Sequence, residues 1–349
     1  QVHDIKFNVK IEMENCSIII PHFNNEPILQ RCLTSLTKHT STKHEIIVID
    51  NNSTDKSMDM VKENFINVRI IKNEKNLGYA GGCNVGAVLA KNNFLIFLNN
   101  DTKVTPKWIN PIVKELKKSK VSSVQPKIKN LSNQNLFDYA GASGGFIDIF
   151  CFPFCRGRIF NTIEKDYGQY DFSRDIFWAS GTAFATKKNL FIKSGMFDSK
   201  FFAHMEEIDY QWRTQMMGYK VVVCTESVIY HEGGKTLSFQ SRLKTYLNHR
   251  NSLIIFFTNH EFITVLALFI PKIILHFIST LYDLLRLRIK HASSQIKALF
   301  WILKNIKYII KKRKSNNKLR IANYKLKGMF KTSIVVNYFI FRKRYFSNY

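Results

Sequence analysis

Phe94-Leu-Ile-Phe-Leu98-Asn99-Asn100-Asp101 decides how this chain is read. Five apolar residues end abruptly in two amides and a carboxylate. A short apolar run of this make is a strand buried on both faces, as parallel sheets require. A carboxylate just beyond such a strand stands at the crevice where open α/β sheets bind ligands. Upstream, the same signal recurs at Cys16–Pro21, at Glu45–Asp50 and at Val68–Lys72. Helical spacing separates these runs over Pro27–Thr40, from the Asn51–Asp55 turn to Asn64, and over Ala80–Lys91. The alternation predicts a mostly parallel sheet with helices on both faces.

Downstream order is more scattered. Residues 127–176 show no clean period and read as loops with short strands. Phe177–Thr186 is ordered again, a helix is expected over Met205–Met217, and a strand over Lys220–Cys224. An acidic cluster, Glu206-Glu207-Ile208-Asp209, opens that helix, and His231 follows in Tyr230-His231-Glu232-Gly233-Gly234. A strand-end carboxylate, an acidic cluster and an imidazole suit metal-assisted group transfer from a phosphorylated donor.

Charge divides the 349 residues in two. The chain has 52 Lys and Arg against 26 Asp and Glu, a net charge of +26. Eighteen of those basic residues lie between Arg286 and Tyr349, a stretch without Asp or Glu. A polybasic region implies an anionic partner, phospholipid or nucleic acid. Gln295–Lys311 places Ile296, Leu299, Phe300, Leu303, Ile306 and Ile310 on one face, with Lys297, Lys304 and Lys311 on another. This basic amphipathic helix favours an anionic membrane surface over nucleic acid. Between Leu253 and Asp283, polar residues and Pro271 interrupt the apolar runs, so a peripheral attachment is expected rather than a spanning helix. The expected division is residues 1–250 for catalysis and 251–349 for membrane association. Six cysteines without a paired zinc spacing read as structural thiols of a reducing compartment. Residues 1–15 carry no apolar core of a secretion signal.

The ordered motifs resemble glycosyltransferase family 2, inverting nucleotide-sugar transferases with a GT-A fold. They are Ser17-Ile-Ile-Ile-Pro21-His-Phe-Asn-Asn25, Ile46-Ile-Val-Ile-Asp50-Asn-Asn52-Ser-Thr-Asp55, Asn76-Leu-Gly78-Tyr-Ala-Gly-Gly-Cys-Asn84-Val-Gly86, Asn99-Asn100-Asp101, Trp178-Ala-Ser-Gly-Thr182, Gly195-Met-Phe-Asp198, Glu206–Arg213 and His231. The nearest branch resembles bacterial rhamnosyl- and galactofuranosyltransferases of surface-polysaccharide assembly. The resemblance implies donor contacts from Pro21, Asp50, Asn52, Asn76, Gly78, Asn84 and Asn100. It implies Mn²⁺ or Mg²⁺ on Asp101 and His231, although the family's usual Asp-x-Asp is here Asn99-Asn100-Asp101. Glu207 becomes the general base, with Glu206 and Asp209 beside it. Asp209 could instead hold Arg213 one turn on. The implied partners are a UDP- or dTDP-sugar and a lipid-linked glycan acceptor at the cytoplasmic membrane face. A transferase-like binding module without catalysis is the alternative.

Overall fold

The computed structural model describes residues 14–233 and 241–349. Most of the expected absence of a secretion signal, and Gly234, therefore lie outside the described residues. The chain opens with β1 (Cys16–His22), α1 (Glu26–His39), β2 (Glu45–Asp50), α2 (Ser57–Asn64), β3 (Val68–Lys72), α3 (Gly78–Leu89) and β4 (Phe94–Leu98). β1 lies between β2 and β4, parallel to both, and β3 extends the sheet beyond β2. Alternation across the pleat explains the continuous apolar runs. Ile19, Ile47, Ile49, Leu95 and Phe97 enter one core, while Ile18, Ile20, Ile46, Val48, Ile96 and Leu98 enter the core on the opposite face. Both faces exclude water, so neither set could be polar.

The second half extends the sheet with antiparallel pairings and one long parallel pairing, between Val121–Asn130 and Lys220–His231. The elements are β5 (Thr102–Val104), α4 (Ile109–Leu116), β6 (Val121–Asn130), β7 (Gly145–Asp148), β8 (Pro153–Cys155), β9 (Arg158–Ile159), β10 (Thr162–Ile163) and β11 (Arg174–Ile176). After these come β12 (Ala183–Lys187), α5 (Lys188–Lys193), α6 (Glu206–Met216) and β13 (Lys220–His231). The strand order is β11-β13-β6-β12-β4-β1-β2-β3, with β5 paired to the end of β13. β13 runs well past Cys224, where the sequence reading ends it, because an irregularity between Cys224 and Val228 lets it resume pairing with β6. The stretch read as loops with short strands holds four strands of a second sheet, ordered β10-β9-β8-β7, which Met329–Phe330 extends beyond β7. Its strands are two to four residues long, too short for a period to show.

The carboxyl half adds α7 (Arg242–Asn259), α8 (Phe262–Leu285), α9 (Ile289–Lys304), α10 (Ile306–Asn317), β14 (Met329–Phe330) and α11 (Ile334–Phe339). Three sequence expectations change here. α8 is one continuous helix of 24 residues through Pro271, long and apolar enough by composition to cross a membrane. The expected helix over Gln295–Lys311 is two helices, parted at Asn305, whose side chain caps back onto the Trp301 carbonyl at 2.8 Å. A boundary at residue 250 falls inside α7, and the basic tail is not a separate appendage. It returns to the first half through β14 against β7, Ile334 N–H donating to Asp148, and Phe346 packed between Phe146 and Tyr170. All six cysteines are buried and unpaired.

One buried charge cluster fixes that return. Asp209, fully buried in α6, accepts from Arg213 at 3.1 Å, from Lys312 of α10 at 3.0 Å and from Asn259 at 3.0 Å. Removing one member of a buried pair strands the others without solvent, at about 3–5 kcal/mol. Asp209→Ala is therefore expected to lose about that much unfolding free energy in urea denaturation, while the double replacement with Lys312→Met should recover part of it.

Candidate active site

The carboxyl ends of β1 and β4 open onto a cavity of about 690 Å³. Asn99, leaving β4, donates its N–H to Thr182 O at 2.9 Å, and its own carbonyl accepts from the Thr102 hydroxyl at 2.7 Å. This turn ends the strand and aims Asp101 into the crevice. β5 then pairs antiparallel with β13, setting Thr102 opposite His231, and Glu232 N–H donates to Asp101 O at 3.0 Å. Two residues 130 positions apart are thereby placed side by side.

Asp101 Oδ1 and His231 Nε2 lie 3.1 Å apart, both buried, and neither has a hydrogen-bond partner. This is the distance of an ion pair, and it is also the separation that two neighbouring ligands of one octahedral cation would have. Bonds of about 2.1 Å at a right angle put donor atoms about 3 Å apart. His231 Nδ1 meets Asp138 Oδ1 at 2.8 Å, which fixes the ring and turns Nε2 toward Asp101. Burial alone would lower the imidazole pKa, but Asp101 and Asp138 raise it to about 10. Burial pushes the Asp101 carboxyl upward, and the His231 charge more than offsets this, leaving it below its ordinary value. No group of three or more metal-ligating side chains occurs among the described residues. A cation here would take two protein ligands and complete its shell from substrate oxygens and water.

The floor next to Asp101 is neutral. Asn100 and His22 meet at 2.7 Å, and burial lowers the His22 pKa to about 4. At the start of α3, the Asn76 carboxamide accepts from Gly78 N–H at 2.8 Å, and Asn51 donates to Gly78 O at 3.2 Å. Gly78 has φ +69°, and a Cβ there would stand 2.4 Å from the Phe202 carbonyl, so only glycine fits.

Glu206 and Glu207 begin α6 after a tight turn in which Phe202, His204 and Met205 all have positive φ. L-residues in that region carry strain, which tertiary packing must hold. Arg250 and Asn251 of α7 do so, donating to the carbonyls of Phe201 and His204, among others. Each glutamate has a buried Oε2 without a partner. Burial raises the Glu207 carboxyl to about 7, opposed by backbone N–H groups of the helix start. Burial and the Glu207 charge raise Glu206 further.

Pro21, Asn76, Gly78, Asn100, Asp101, Glu206, Glu207 and His231 all line the one cavity. Four other residues expected at the site do not line it. Asn84 is spent on both backbone groups of Phe197, at 2.8 and 3.1 Å. Asp209 faces Arg213 and Lys312, as described. Asn52 is exposed on a left-handed turn. Asp50 is buried, accepting from Ser53 N–H at 2.7 Å through Oδ1 and leaving Oδ2 unpartnered. Sequence reasoning missed Asp138, which follows Phe137 in the aperiodic stretch, and His22, hidden inside the first motif.

Because its folded pKa lies above the ordinary carboxylate value, Glu207 binds protons more readily in the folded chain than in the unfolded one. Its contribution to stability therefore falls as pH rises from about 4.5 to about 7 and then levels. Glu207→Gln is expected to raise the melting temperature at pH 8 by roughly 2–4 °C, and to change it little near pH 4.

Comparison with known proteins agrees with this geometry. The model of the glycosyl transferase family 2 matches residues 17–197. The O-antigen biosynthesis protein RfbC of Myxococcus xanthus is 25% identical over 221 residues, covering 62% of this chain and 17% of that protein. An N-acetylglucosaminyl-diphospho-decaprenol L-rhamnosyltransferase of Mycobacterium tuberculosis is 22% identical over 237 residues, covering 63% of this chain and 76% of the relative. The chain thus spans a minor part of the first relative and most of the second. Among solved structures, GalNAc-T7 with UDP, GalNAc and Mn²⁺ aligns at a TM-score of 0.55 and 19% identity, over 70% of this chain and 48% of that one. The Pyrobaculum calidifontis mannosyltransferase PcManGT, in complex with GDP-Man and Mn²⁺, aligns at 0.52 and 14% identity, over 88% and 86%. At these identities the likeness is one of fold. With a family match over more than half its length and a GT-A-like sheet carrying the site, this chain belongs to glycosyl transferase family 2.

Proposed function

We propose that this glycosyltransferase inverts the anomeric centre as it moves a hexose, such as rhamnose or galactofuranose, from a UDP- or dTDP-sugar to a lipid-linked glycan of the cell surface. The observation that carries this reading is one cavity lined both by the Asp101–His231 pair and by Glu207. The donor diphosphate would lie between the Asn76–Gly78 turn and Asp101. Asp101 and His231 would hold Mn²⁺ or Mg²⁺, with Asp138 orienting the imidazole. When bound, such a cation neutralises charge gathering on the departing diphosphate. Glu207 takes the proton from the acceptor hydroxyl as its oxygen attacks the anomeric carbon. Attack opposite the diphosphate inverts that carbon. A carboxyl whose pKa is near 7 is half ionised at neutral pH and accepts that proton with little free-energy mismatch.

The carboxyl-terminal helices support work at a membrane. α8 turns Ile263, Ile270, Phe277 and Leu285 to solvent, between 54% and 77% exposed, while only Val265, Lys272, His276 and Thr280 of this helix are buried. Lys272 and His276 are buried on the inner face that lines the cavity, so α8 reads as lying along the membrane surface rather than crossing it. The stripe Ile296, Phe300, Leu303, Ile306 and Ile310 remains exposed across the break at Asn305, flanked by basic residues. Apolar side chains entering the lipid and cations on anionic headgroups together give stable peripheral binding, which we propose for the cytoplasmic face.

Three outcomes test this reading. Glu207→Gln is expected to lower transfer by at least 10²-fold while leaving donor affinity intact; unchanged transfer would remove Glu207 from the mechanism. Asp138→Asn is expected to weaken Mn²⁺ binding to the UDP-loaded protein about 10–100-fold in calorimetry. Ile270→Glu with Phe277→Glu is expected to abolish co-sedimentation with anionic vesicles, with turnover of a soluble acceptor retained.

A further inference from the structure

The cavity does not end at Glu207. It continues to a wall built from α7 and α8, lined by Asn248, His249, Ser252, Lys272, His276 and Ser279. All four acidic residues lining the cavity (Asp101, Asp138, Glu206 and Glu207) belong to the parts already assigned. The far wall contributes cations and imidazoles with no carboxylate among them.

Lys272 is 2% exposed. Its ammonium donates to Phe150 O at 2.7 Å and to Ser252 Oγ at 2.9 Å, and forms no ion pair among the described residues. Nζ also lies 4.2 Å from the centroid of the Phe152 ring, and burial lowers the pKa of the amine, with Cys151 and Asp148 opposing this only in part, so an anion at this wall would favour its charged form. The imidazoles are set in order around it. His276 Nε2 faces the Gln295 carbonyl at 3.1 Å and must donate there, leaving Nδ1 as an acceptor. His249 Nδ1 approaches that atom at 3.5 Å and can donate to it only weakly, leaving His249 Nε2 without a partner. His204, on the turn before Glu206, also lines the cavity and has a buried Nε2 without a partner. Burial holds His249 down at about 3 and His276 at about 4, so a neighbouring phosphate would draw protons onto this wall.

We infer that Lys272, His249 and His276, with His204, form a subsite for the phosphate of the lipid-linked acceptor, in the same cavity as Glu207. The inference rests on the transferase reading and adds to it the residues that recognise the acceptor's anionic headgroup. Its lipid source is argued from α8 itself. The inner face of this helix offers a cation and imidazoles, and its outer face offers the exposed apolar row. One helix thus matches both halves of a phosphorylated amphiphile, the headgroup on one face and the chain in lipid on the other.

The test is calorimetric and uses the full chain. UDP with Mn²⁺ is titrated first, then geranyl diphosphate or inorganic pyrophosphate is titrated into the loaded protein. Geranyl diphosphate is expected to bind the loaded protein at least tenfold more tightly than pyrophosphate. Lys272→Met and His249→Gln are each expected to weaken it at least tenfold without changing UDP affinity. His249 is only half-buried, so its variant keeps the test informative if Lys272→Met fails to fold. No geranyl diphosphate binding, or equal binding by wild type and the His249 variant, would overturn the subsite. Equal affinity for pyrophosphate would overturn the lipid source. Failure of UDP to bind would count against the donor reading alone, since variant-sensitive binding of geranyl diphosphate would still support the subsite.

Discussion

The short pairing of β5 with the end of β13 is the constraint on which the site depends. Three residues of β5 run antiparallel to Ile229–His231, and this alone sets His231 against Asp101. The pairing needs β13 to continue beyond Cys224, which needs the irregularity in its ladder with β6. Behind it stands the packing of β1, β2 and β4, whose apolar runs exclude water from both faces and leave the strand ends rigid. The site proposed to hold a highly charged diphosphate is thus built on strand ends anchored in two buried cores.

Glu206 and Glu207 show how strain and burial are used together. Three residues with positive φ precede them, and α7 holds the resulting turn through Arg250 and Asn251. Both carboxyl groups are held away from water with an oxygen left unpartnered, at a cost in stability. That cost is what lifts Glu207 toward neutral pH, where a carboxylate is most useful as a base. Stability and the proton transfer proposed for Glu207 are in opposition at this position, as they often are where chemistry is done.

The carboxyl-terminal region is joined to this arrangement rather than appended to it. α10 sends Lys312 to Asp209 in α6, the helix that carries Glu207, and α7 carries the side chains that hold the turn before it. The segment that would meet a membrane therefore shares buried polar contacts with the segment that would meet the acceptor. In the proposed mechanism, recognition of a lipid-linked substrate and positioning of the base would be linked through these contacts.

The sequence by itself determined the parallel half of the sheet, because a strand buried on both faces has to be an unbroken apolar run, and β2, β3 and β4 begin and end where those runs do. It also marked Asp101 and the acidic start of α6, since a carboxylate closing an apolar strand and an acidic helix start are local signals, whereas Glu207 and His231 were singled out by the resemblance of the ordered motifs to the family. Local signals could not tell which polar residues face the cavity. Asn84 and Asp209 sit in motifs like the others, yet tertiary contacts spend Asn84 on Phe197 and Asp209 on Arg213 and Lys312. Asp138 became visible only when β6 and its following turn brought it to His231, across 93 positions of chain. The length of α8 was hidden by Pro271, Lys272, His276 and Asp283, which interrupt the apolar pattern but not the helix. Whether such residues break a membrane-facing helix or line the inside of an enzyme depends on which face they occupy, and that is decided by what the helix packs against.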